Sequence, residues 1–313
     1  MTQLHKTFRA IDGGDGSDGR WSAHIRTLWP AAEGWLTDDG RTPDGAVRAR
    51  RMFDEHMPEL APLLDRLAGQ LNRPNAETLL AMNAIRPFFS GCTQTGGNGR
   101  LLRNYDFPLA QCEGTIVRSD FLRPVIGMQE GGWGLLDGMN DAGLAVSLTF
   151  GGRMTQGPGF AIVIVLRYLL ETCDTVTEAV ERLRTIPVMV PQNVTLVDAE
   201  RATTVYVGPD IELTEAPDAC AANHQHLPVS DEDERGSRTQ ERLAAIRESG
   251  ADVSAMLRPP LYRPGFDEGW GTVYTADYQP GEGQVTYHWP GQVWEQSFDR
   301  FTSGTRSIAF GNQ

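Results

Sequence analysis

The stretch Thr95-Gly96-Gly97-Asn98-Gly99-Arg100 constrains this chain more than any other. Its glycines and asparagine tolerate positive φ, which a tight reversal between antiparallel strands demands. The run from Ile85 to Thr93 enters the reversal, and Leu101-Leu102-Arg103-Asn104-Tyr105-Asp106-Phe107 leaves it. This spacing predicts a hairpin approached by extended chain from Ile85 to Ser90. Cys92 starts a strand, and Arg103 and Asp106 lie across from it. Local geometry then brings a thiol, a cation and a carboxylate together, and Cys92 becomes a candidate nucleophile with two polar supports.

Charge narrows the partners. Among 313 residues, 28 are basic and 41 acidic, a formal net charge of −13. Nucleic acid or an anionic membrane requires a basic face, so neither is expected as a partner. Cys92, Cys112, Cys173 and Cys220 are scattered without a C-x-x-C pair, which fits neither a disulfide framework nor a zinc site. Residues 1–19 are polar and glycine-rich and lack the apolar core of a secretory signal, so the expected compartment is the cytoplasm. The most apolar run, 160–170, is about half the length of a membrane span and contains Arg167; it reads as a buried helix.

In chain order, residues 1 to 20 read as a frayed or loosely docked start. From Asp44 apolar residues recur three or four apart through Leu71, with Pro58 dividing two helices, and Asn75 is placed to cap a third over 76–83. Short strands are expected at 114–118, 124–129, 134–139 and 143–150, the last two joined by the Asn140-Asp141-Ala142-Gly143 turn. The buried helix follows, then a second one capped by Asp174 or Thr175. Strands are expected at 193–197, 203–207 and 219–222. The acid run Asp231–Glu234 reads as a solvated loop leading into a helix over 237–249, and two strands, 271–276 and 284–288, complete the chain. This order suits an α+β domain with two antiparallel sheets face to face and helices outside.

Four motifs carry a resemblance: Gly91-Cys92-Thr93, Arg103-Asn104-x-Asp106, Gly138-Met139-Asn140-Asp141-x-Gly143-Leu144, and Asn193-Val194-Thr195-Leu196-Val197-Asp198. From about residue 43 to 290 the chain resembles the N-terminal-nucleophile (Ntn) amidohydrolases. Within them it is most similar to the acyl-coenzyme A:6-aminopenicillanic acid acyltransferases, relatives of the choloylglycine hydrolases and penicillin V acylases. The resemblance implies an αββα four-layer fold and autocleavage between Gly91 and Cys92. Residues 1–91, a helical prosegment, and 92–313, the catalytic domain, would stay associated as two chains. A homo-oligomer is left open. Cleavage matters chemically. A thiol with pKa ~8.5 is mostly protonated at neutral pH, and a freed α-amine of pKa about 7.7–8.0 can take its proton, which a peptide nitrogen cannot.

The resemblance further implies that Cys92 attacks an acyl carbonyl and forms a thioester, which water or an amine then resolves. Arg103 and Asp106 orient the cysteine. Asn193 supplies an oxyanion donor, with a second donor near Thr149, where choloylglycine hydrolases tend to carry asparagine. Arg238 supports the site from a late helix, with Arg242 as the alternative. The substrate class is a small N-acyl amide, with acyl-CoA as a candidate donor and no cofactor.

Rival readings start from other residues. The glycine-rich turn lacks the Gly-Lys-Ser/Thr ending of a phosphate loop. His224-x-His226 lacks a third metal ligand at a convincing spacing. Asn223-His224 with Cys92 would compose a papain-like Cys-His site, although that class puts its cysteine at a helix start. A catalytically silent Ntn-like binding protein is the non-enzymatic reading, and it would need none of Cys92, Arg103, Asp106 and Asn193.

Overall fold

The computed structural model describes residues 4–226, 228–266 and 269–310. Where a loose start is expected, residues Leu4–Asp12 form strand β1. Phe8 and Ala10 alternate inward, and β1 pairs parallel with β4 (Thr115–Asp120) and antiparallel with β15 (Gly304–Phe310). Two inward residues among Lys6, Thr7 and Arg9 are a weak strand signal, and partners more than a hundred residues away decide the outcome. Residues 1–3 of the expected loose start lie outside the described residues.

Helix α1 (Arg20–Ala32), absent from the sequence reading, buries Trp21, Ile25 and Trp29 at four-residue spacing. The expected helices follow as α2 (Pro43–His56), α3 (Ala61–Leu71) and α4 (Ala76–Ala81). Thr42 caps α2 by accepting from Gly45 N–H at 3.0 Å, and Pro43 occupies its first turn. The segment before Cys92 is therefore not purely helical, since β1 belongs to the larger sheet.

Only an isolated bridge, Ile85 to Leu36, marks the approach to the hairpin, which is otherwise not strand. Pro87 lacks the N–H a ladder would need there. Strands β2 (Gly91–Gly97) and β3 (Arg100–Phe107) then reverse about Asn98 and Gly99, both at positive φ (51° and 69°). The expected strands continue as β5 (Pro124–Glu130), β6 (Gly134–Asn140) and β7 (Ala145–Phe150). At the β6–β7 turn Asn140 Oδ1 accepts from Leu144 N–H at 3.0 Å. Its amide donates to the carbonyls of Leu170 and Cys173, at 3.0 and 2.8 Å, which ties the turn to α5 (Ile162–Thr172).

Helix α6 (Val176–Leu183) starts at Thr175, which accepts from Glu178 N–H at 3.2 Å. Strands β8 (Gln192–Val197), β9 (Ala202–Gly208), β10 (Ile211–Glu215) and β11 (Cys220–Ala221) follow. The acid run folds as a short helix, α7 (Asp231–Ser237), where a loop is expected; Ser230 caps it and four acidic residues suit its first turn. Helices α8 (Thr239–Ser249) and α9 (Val253–Met256) precede β12 (Gly271–Gln279), β13 (Gln284–Trp289) and β14 (Gln292–Ser297).

The strands compose two sheets, ordered β10-β9-β8-β7-β6-β5-β4-β1-β15 and β11-β2-β3-β12-β13-β14, antiparallel throughout except for β1–β4. They face each other through β2 and β3 against β7 and β8. Helices α5 and α6 cover the nine-stranded sheet, and α8 and α9 cover the six-stranded one. This is the expected four-layer αββα arrangement. Helix α5 is buried on every side, and the N-terminal helical segment lies over it: Tyr168 OH donates to Glu59 Oε2 at 2.5 Å, and Ala161 N–H, at its cap, donates to Met82 O at 2.8 Å. No helix among the described residues is long and apolar enough to cross a membrane.

The docking of β1 has a direct test. Phe8 is buried and packs on Trp289 with ring centroids 4.8 Å apart. Phe8→Ala is expected to lower stability by about 3–5 kcal/mol in urea unfolding. A loss near zero would mean that the start of the chain is not part of the core.

Candidate active site

Cys92 pairs with Tyr105 in the β2–β3 register, while Gly91 pairs with Asp106 and Gln94 with Arg103. Alternation then decides which side chains meet. Cys92, Gln94, Arg103 and Tyr105 point between the sheets; Thr93, Asn104 and Asp106 point toward α8 and α9. The expected hairpin partners of Cys92 thus divide between two faces. Arg103 reaches the thiol directly, with Nη2 3.1 Å from Sγ. The Asp106 carboxylate does not hydrogen-bond the sulfur. It lies behind the strand, accepting from Thr272 Oγ1 at 2.7 Å and Arg242 Nη1 at 3.3 Å. A Cβ on Gly91 would sit 3.1 Å from Asp106 Cβ, so glycine permits this close approach.

Arg103 is fully buried, and four of its five N–H groups are hydrogen-bonded. Nε donates to Leu148 O at 3.0 Å, and Nη1 donates to Asp137 Oδ2 at 2.5 Å and Tyr274 OH at 2.8 Å. Asp137, from β6 of the opposite sheet, also accepts from Tyr274 OH and Tyr278 OH, both at 2.6 Å. Burial works against the guanidinium's charge, yet Cys92, Tyr274 and Asp137 hold its pKa well above the ordinary arginine value. Burial pushes the Cys92 thiol up; Arg103 opposes that shift and Asp106 adds to it. In the uncut chain the sulfur is therefore a neutral thiol at pH 7.

The backbone of Cys92 is held by side chains where a neighbouring strand would be expected. Strand β11 covers only Gln94 and Thr95, then ends at Ala221. Beyond it, Asn223 Oδ1 accepts from Cys92 N–H at 3.0 Å and Arg242 Nη1 donates to Cys92 O at 2.7 Å. The two polar groups of one strand residue point the same way, so Asn223 and Arg242 continue the ladder that β11 abandons. Arg242 Nη2 also donates to Asn223 Oδ1 at 2.6 Å, and Nη1 to Thr93 Oγ1 at 2.7 Å.

Of the two late arginines, the structure puts Arg242 at the cysteine. Arg238, the expected support, is a surface residue at the start of α8, bidentate to Glu241 at 2.6 and 2.7 Å. Arg238 is the left-handed cap residue ahead of α8, with φ 52°, whereas Arg242 lies inside the helix on its buried face toward β2. Asn193, the expected oxyanion donor, is buried on β8 beside Thr149 of β7. Its amide donates to Thr149 Oγ1, Ala222 O and His224 O at 2.9, 2.9 and 3.1 Å, and Thr149 Oγ1 donates to Ala222 O at 2.8 Å. Both residues clip the segment that carries Asn223. They do not contact the thiol.

Asn223 is thus the site residue that the sequence reading missed in this role. Its signal was present: a polar Asn-His pair directly after a two-residue strand, fifteen residues before the α8 arginine pair. His224 donates to or accepts from Thr239 Oγ1 at 2.8 Å through Nδ1 and makes no hydrogen bond to Cys92. With Cys92 on a strand, a papain-like pair has no support. Among the described residues no cluster of three or more metal-ligating side chains exists.

The model of the family described as acyl-coenzyme A:6-aminopenicillanic acid acyl-transferase matches residues 92–292, well over half of the chain, and starts at the cysteine itself. The chain belongs to that family. Solved structures give more distant likenesses. A mutant conjugated bile acid hydrolase from Clostridium perfringens aligns at 13% identity and TM-score 0.45, over 72% of this chain and 97% of its own. Penicillin V acylase from Agrobacterium tumefaciens aligns at 14% and 0.41, over 70% and 90%. The N-acylethanolamine-hydrolyzing acid amidase ortholog of Caenorhabditis elegans aligns at 16% and 0.42, over 61% and 93%. No curated protein matches the sequence significantly.

Two measurements probe this acyl-transferase family member at its buried charges. Asp137→Asn leaves Arg103 without its counter-charge and should cost about 3–5 kcal/mol in denaturant unfolding; an unchanged midpoint would show that the pair is not buried as described. Alkylation of Cys92 in uncut protein should be slow at pH 7 and rise only above the ordinary thiol range, whereas the unfolded chain should react around pH ~8.5. Peptide mass mapping reads both. Equal profiles would refute the raised thiol pKa.

Proposed function

We propose that the chain is an autoprocessing N-terminal-cysteine enzyme that hydrolyses or transfers acyl groups of linear N-acyl amides through a Cys92 thioester. The observation that carries this reading is the grip on Cys92. Arg103 holds its sulfur, Asn223 its N–H and Arg242 its carbonyl. A strand residue in an ordinary sheet needs no side chains to satisfy its backbone. One that is to become a chain terminus does need them, because they fix the new amine after residues 90–91 depart. The family match starting at Cys92 supports the same boundary.

In the proposed maturation, Cys92 Sγ attacks the Gly91 carbonyl carbon, the Gly91–Cys92 C–N bond breaks, and the thiol proton ends on the Cys92 nitrogen. Water then hydrolyses the Gly91 thioester. The freed α-amine, held by Asn223 Oδ1, becomes the base that takes the thiol proton in turnover. Asn223 Nδ2 currently lies 3.5 Å from Ser90 O and 3.3 Å from Phe150 O. Departure of Ser90 releases that donor toward the oxyanion of an incoming amide. Arg103 stabilises the thiolate, and Asp106 balances Arg242. Asn193 and Thr149 act by holding residues 222–224 in place. Water as acceptor gives an acid; an amine as acceptor gives a new amide, with acyl-CoA as a candidate donor.

Intact mass of the purified protein tests maturation. Two fragments divided at Gly91–Cys92 are expected, still associated on gel filtration, with Cys92→Ala uncut and inactive toward a panel of N-acyl amides. One uncut species after long incubation would sink the proposal and favour a silent binding protein. In matured enzyme, Asn223→Ala is expected to lower kcat about 10²–10³-fold, the usual cost of one oxyanion donor.

A further inference from the structure

Buried polar atoms without hydrogen-bond partners gather in one part of the interior: Glu130 Oε2, the Tyr105 hydroxyl and Trp29 Nε1. Glu130, the last residue of β5, is buried with Oε2 unpaired, and the Tyr105 hydroxyl is unpaired as well. Buried polar groups almost always have a partner, so this coincidence calls for an explanation. Burial, then the neighbouring Glu113 carboxylate, push the Glu130 carboxyl well above the usual range. Burial, then Glu130 itself, push the Tyr105 hydroxyl up. Lys6 draws the Glu130 pKa down against these effects, and two further cations line the cavities, Arg9 the smaller and Arg86 the larger. Lys6 Nζ donates to Cys112 O; Glu113 accepts from Gln129 Nε2 at 2.6 Å and Gly132 N–H at 3.3 Å and lies 3.7 Å from His24. Backbone N–H groups of Glu113 and Gly131 also favour its charged form, but burial and the Glu113 carboxylate outweigh them, which favours the neutral acid, a hydrogen-bond donor.

Glu130 also lines two adjoining cavities. The larger, 450 Å³, is walled mainly by Trp35, Ile85, Pro87, Phe88, Phe107 and Val163; the smaller, 260 Å³, extends toward α1. An apolar cavity of about 150 Å³ holds a benzene, so the larger one admits a ring with several methylenes or a medium-length chain. Its position relative to the cysteine follows from the strand. Tyr105 is the register partner of Cys92 and stacks on Phe107 at 5.3 Å, and Phe107 stands about 7 Å farther along the same face of β3. The cavity therefore begins one side-chain step beyond the cysteine's row. Its other wall, residues 85–88, comes from the segment just upstream of Cys92.

We propose that this cavity seats the acyl group of the substrate, and that Glu130 selects apolar acyl groups that carry an oxygen acceptor, such as a ketone, ether or hydroxyl, within the chain. The inference rests on the amidase/acyltransferase reading for its substrate class and goes beyond it in naming the acyl chemistry. An unsubstituted alkyl chain fills the space but leaves the Glu130 donor unpaired. An oxygenated chain pairs it, and rejection of the analogue lacking that oxygen follows.

The test compares wild type, Glu130→Gln and Glu130→Leu on decanoyl amides and a series of oxo-decanoyl amides of one amine, with the ketone moved along the chain. In wild type at least one oxo isomer should exceed decanoyl by 10-fold or more in kcat/KM. Glu130→Gln, which keeps a neutral donor, should retain that preference. Glu130→Leu should abolish it, bringing the oxo and plain decanoyl amides to about the same kcat/KM, and its melting temperature should not fall, since it removes an unpaired polar group. Turnover of both series with no preference, or a preference that survives Glu130→Leu, overturns the inference and leaves the amidase reading intact. A second measurement is independent of turnover: calorimetric binding of decanoate and the oxo-decanoates to uncut Cys92→Ala protein. Tighter, Glu130-dependent binding of an oxo acid with no turnover of any amide would support the pocket and refute the amidase reading. Absence of both binding and turnover refutes the two together.

Discussion

A buried guanidinium governs this structure. Arg103 stands between the two sheets with no exposure to solvent, its charge shared between the Cys92 sulfur and the Asp137 carboxylate. Isolated, such a cation would be prohibitively costly in the interior. Here the hairpin that carries Arg103 and the strand that carries Asp137 belong to opposite sheets, so satisfying the charge requires the sheets to be packed. Tyr274 and Tyr278 complete the shell from β12, with Tyr287 hydrogen-bonded to Tyr278 at 2.8 Å behind them. Site and core are thus one object. Gln94 adds a second polar tie in the same layer, accepting from Ser147 Oγ at 2.6 Å and donating to Asn193 O at 3.1 Å.

On the outer face of the same hairpin the logic is different. Strand β11 stops after two residues and leaves the N–H and carbonyl of Cys92 without a neighbour. Asn223 and Arg242 take them up, and Arg242 is itself neutralised by Asp106. Burial pulls the Arg242 pKa down while Asp106 holds it up. Each of the two buried arginines therefore has its own carboxylate, one on either side of the strand, and the thiol sits where the two systems meet. Side chains can release or admit a neighbour in a way that a ladder cannot, which suits a residue at which a chain is to be opened.

Much of the fold was legible from local chemistry. The Asn98–Gly99 reversal, the Asn140 turn, the Thr175 cap and the apolar run of α5 each rest on interactions within a few residues, and each is found where the sequence puts it. Strand β1 and helix α1 were not legible. Phe8 and Ala10 become a strand because β4 and β15 flank them, and the Trp21–Ile25–Trp29 stripe gains its meaning from the surfaces it covers. At the acid run the dipole argument is available from the sequence, but it attaches to the helix expected at 237–249; the Ser230 cap starts a separate short helix on the acidic residues themselves.

By itself the sequence determined the hairpin, the nucleophile candidate Cys92, the arginine that reaches it, and the family to which these motifs belong. Only the tertiary structure decided which asparagine and which late arginine stand beside that cysteine. Asn193 and Asn223 are equally plausible as amide donors, and Arg238 and Arg242 equally plausible as helix cations, because residue type and spacing are the same kind of evidence for each. What separates them is long-range. The end of β11 and the buried face of α8 turn Asn223 and Arg242 toward the open edge of β2, while the Asn193 amide hydrogen-bonds Thr149 and the carbonyls of Ala222 and His224. The unpaired Glu130 beside its apolar cavity belongs to the same category, since a carboxyl is known to lack a partner only when all its neighbours are in place.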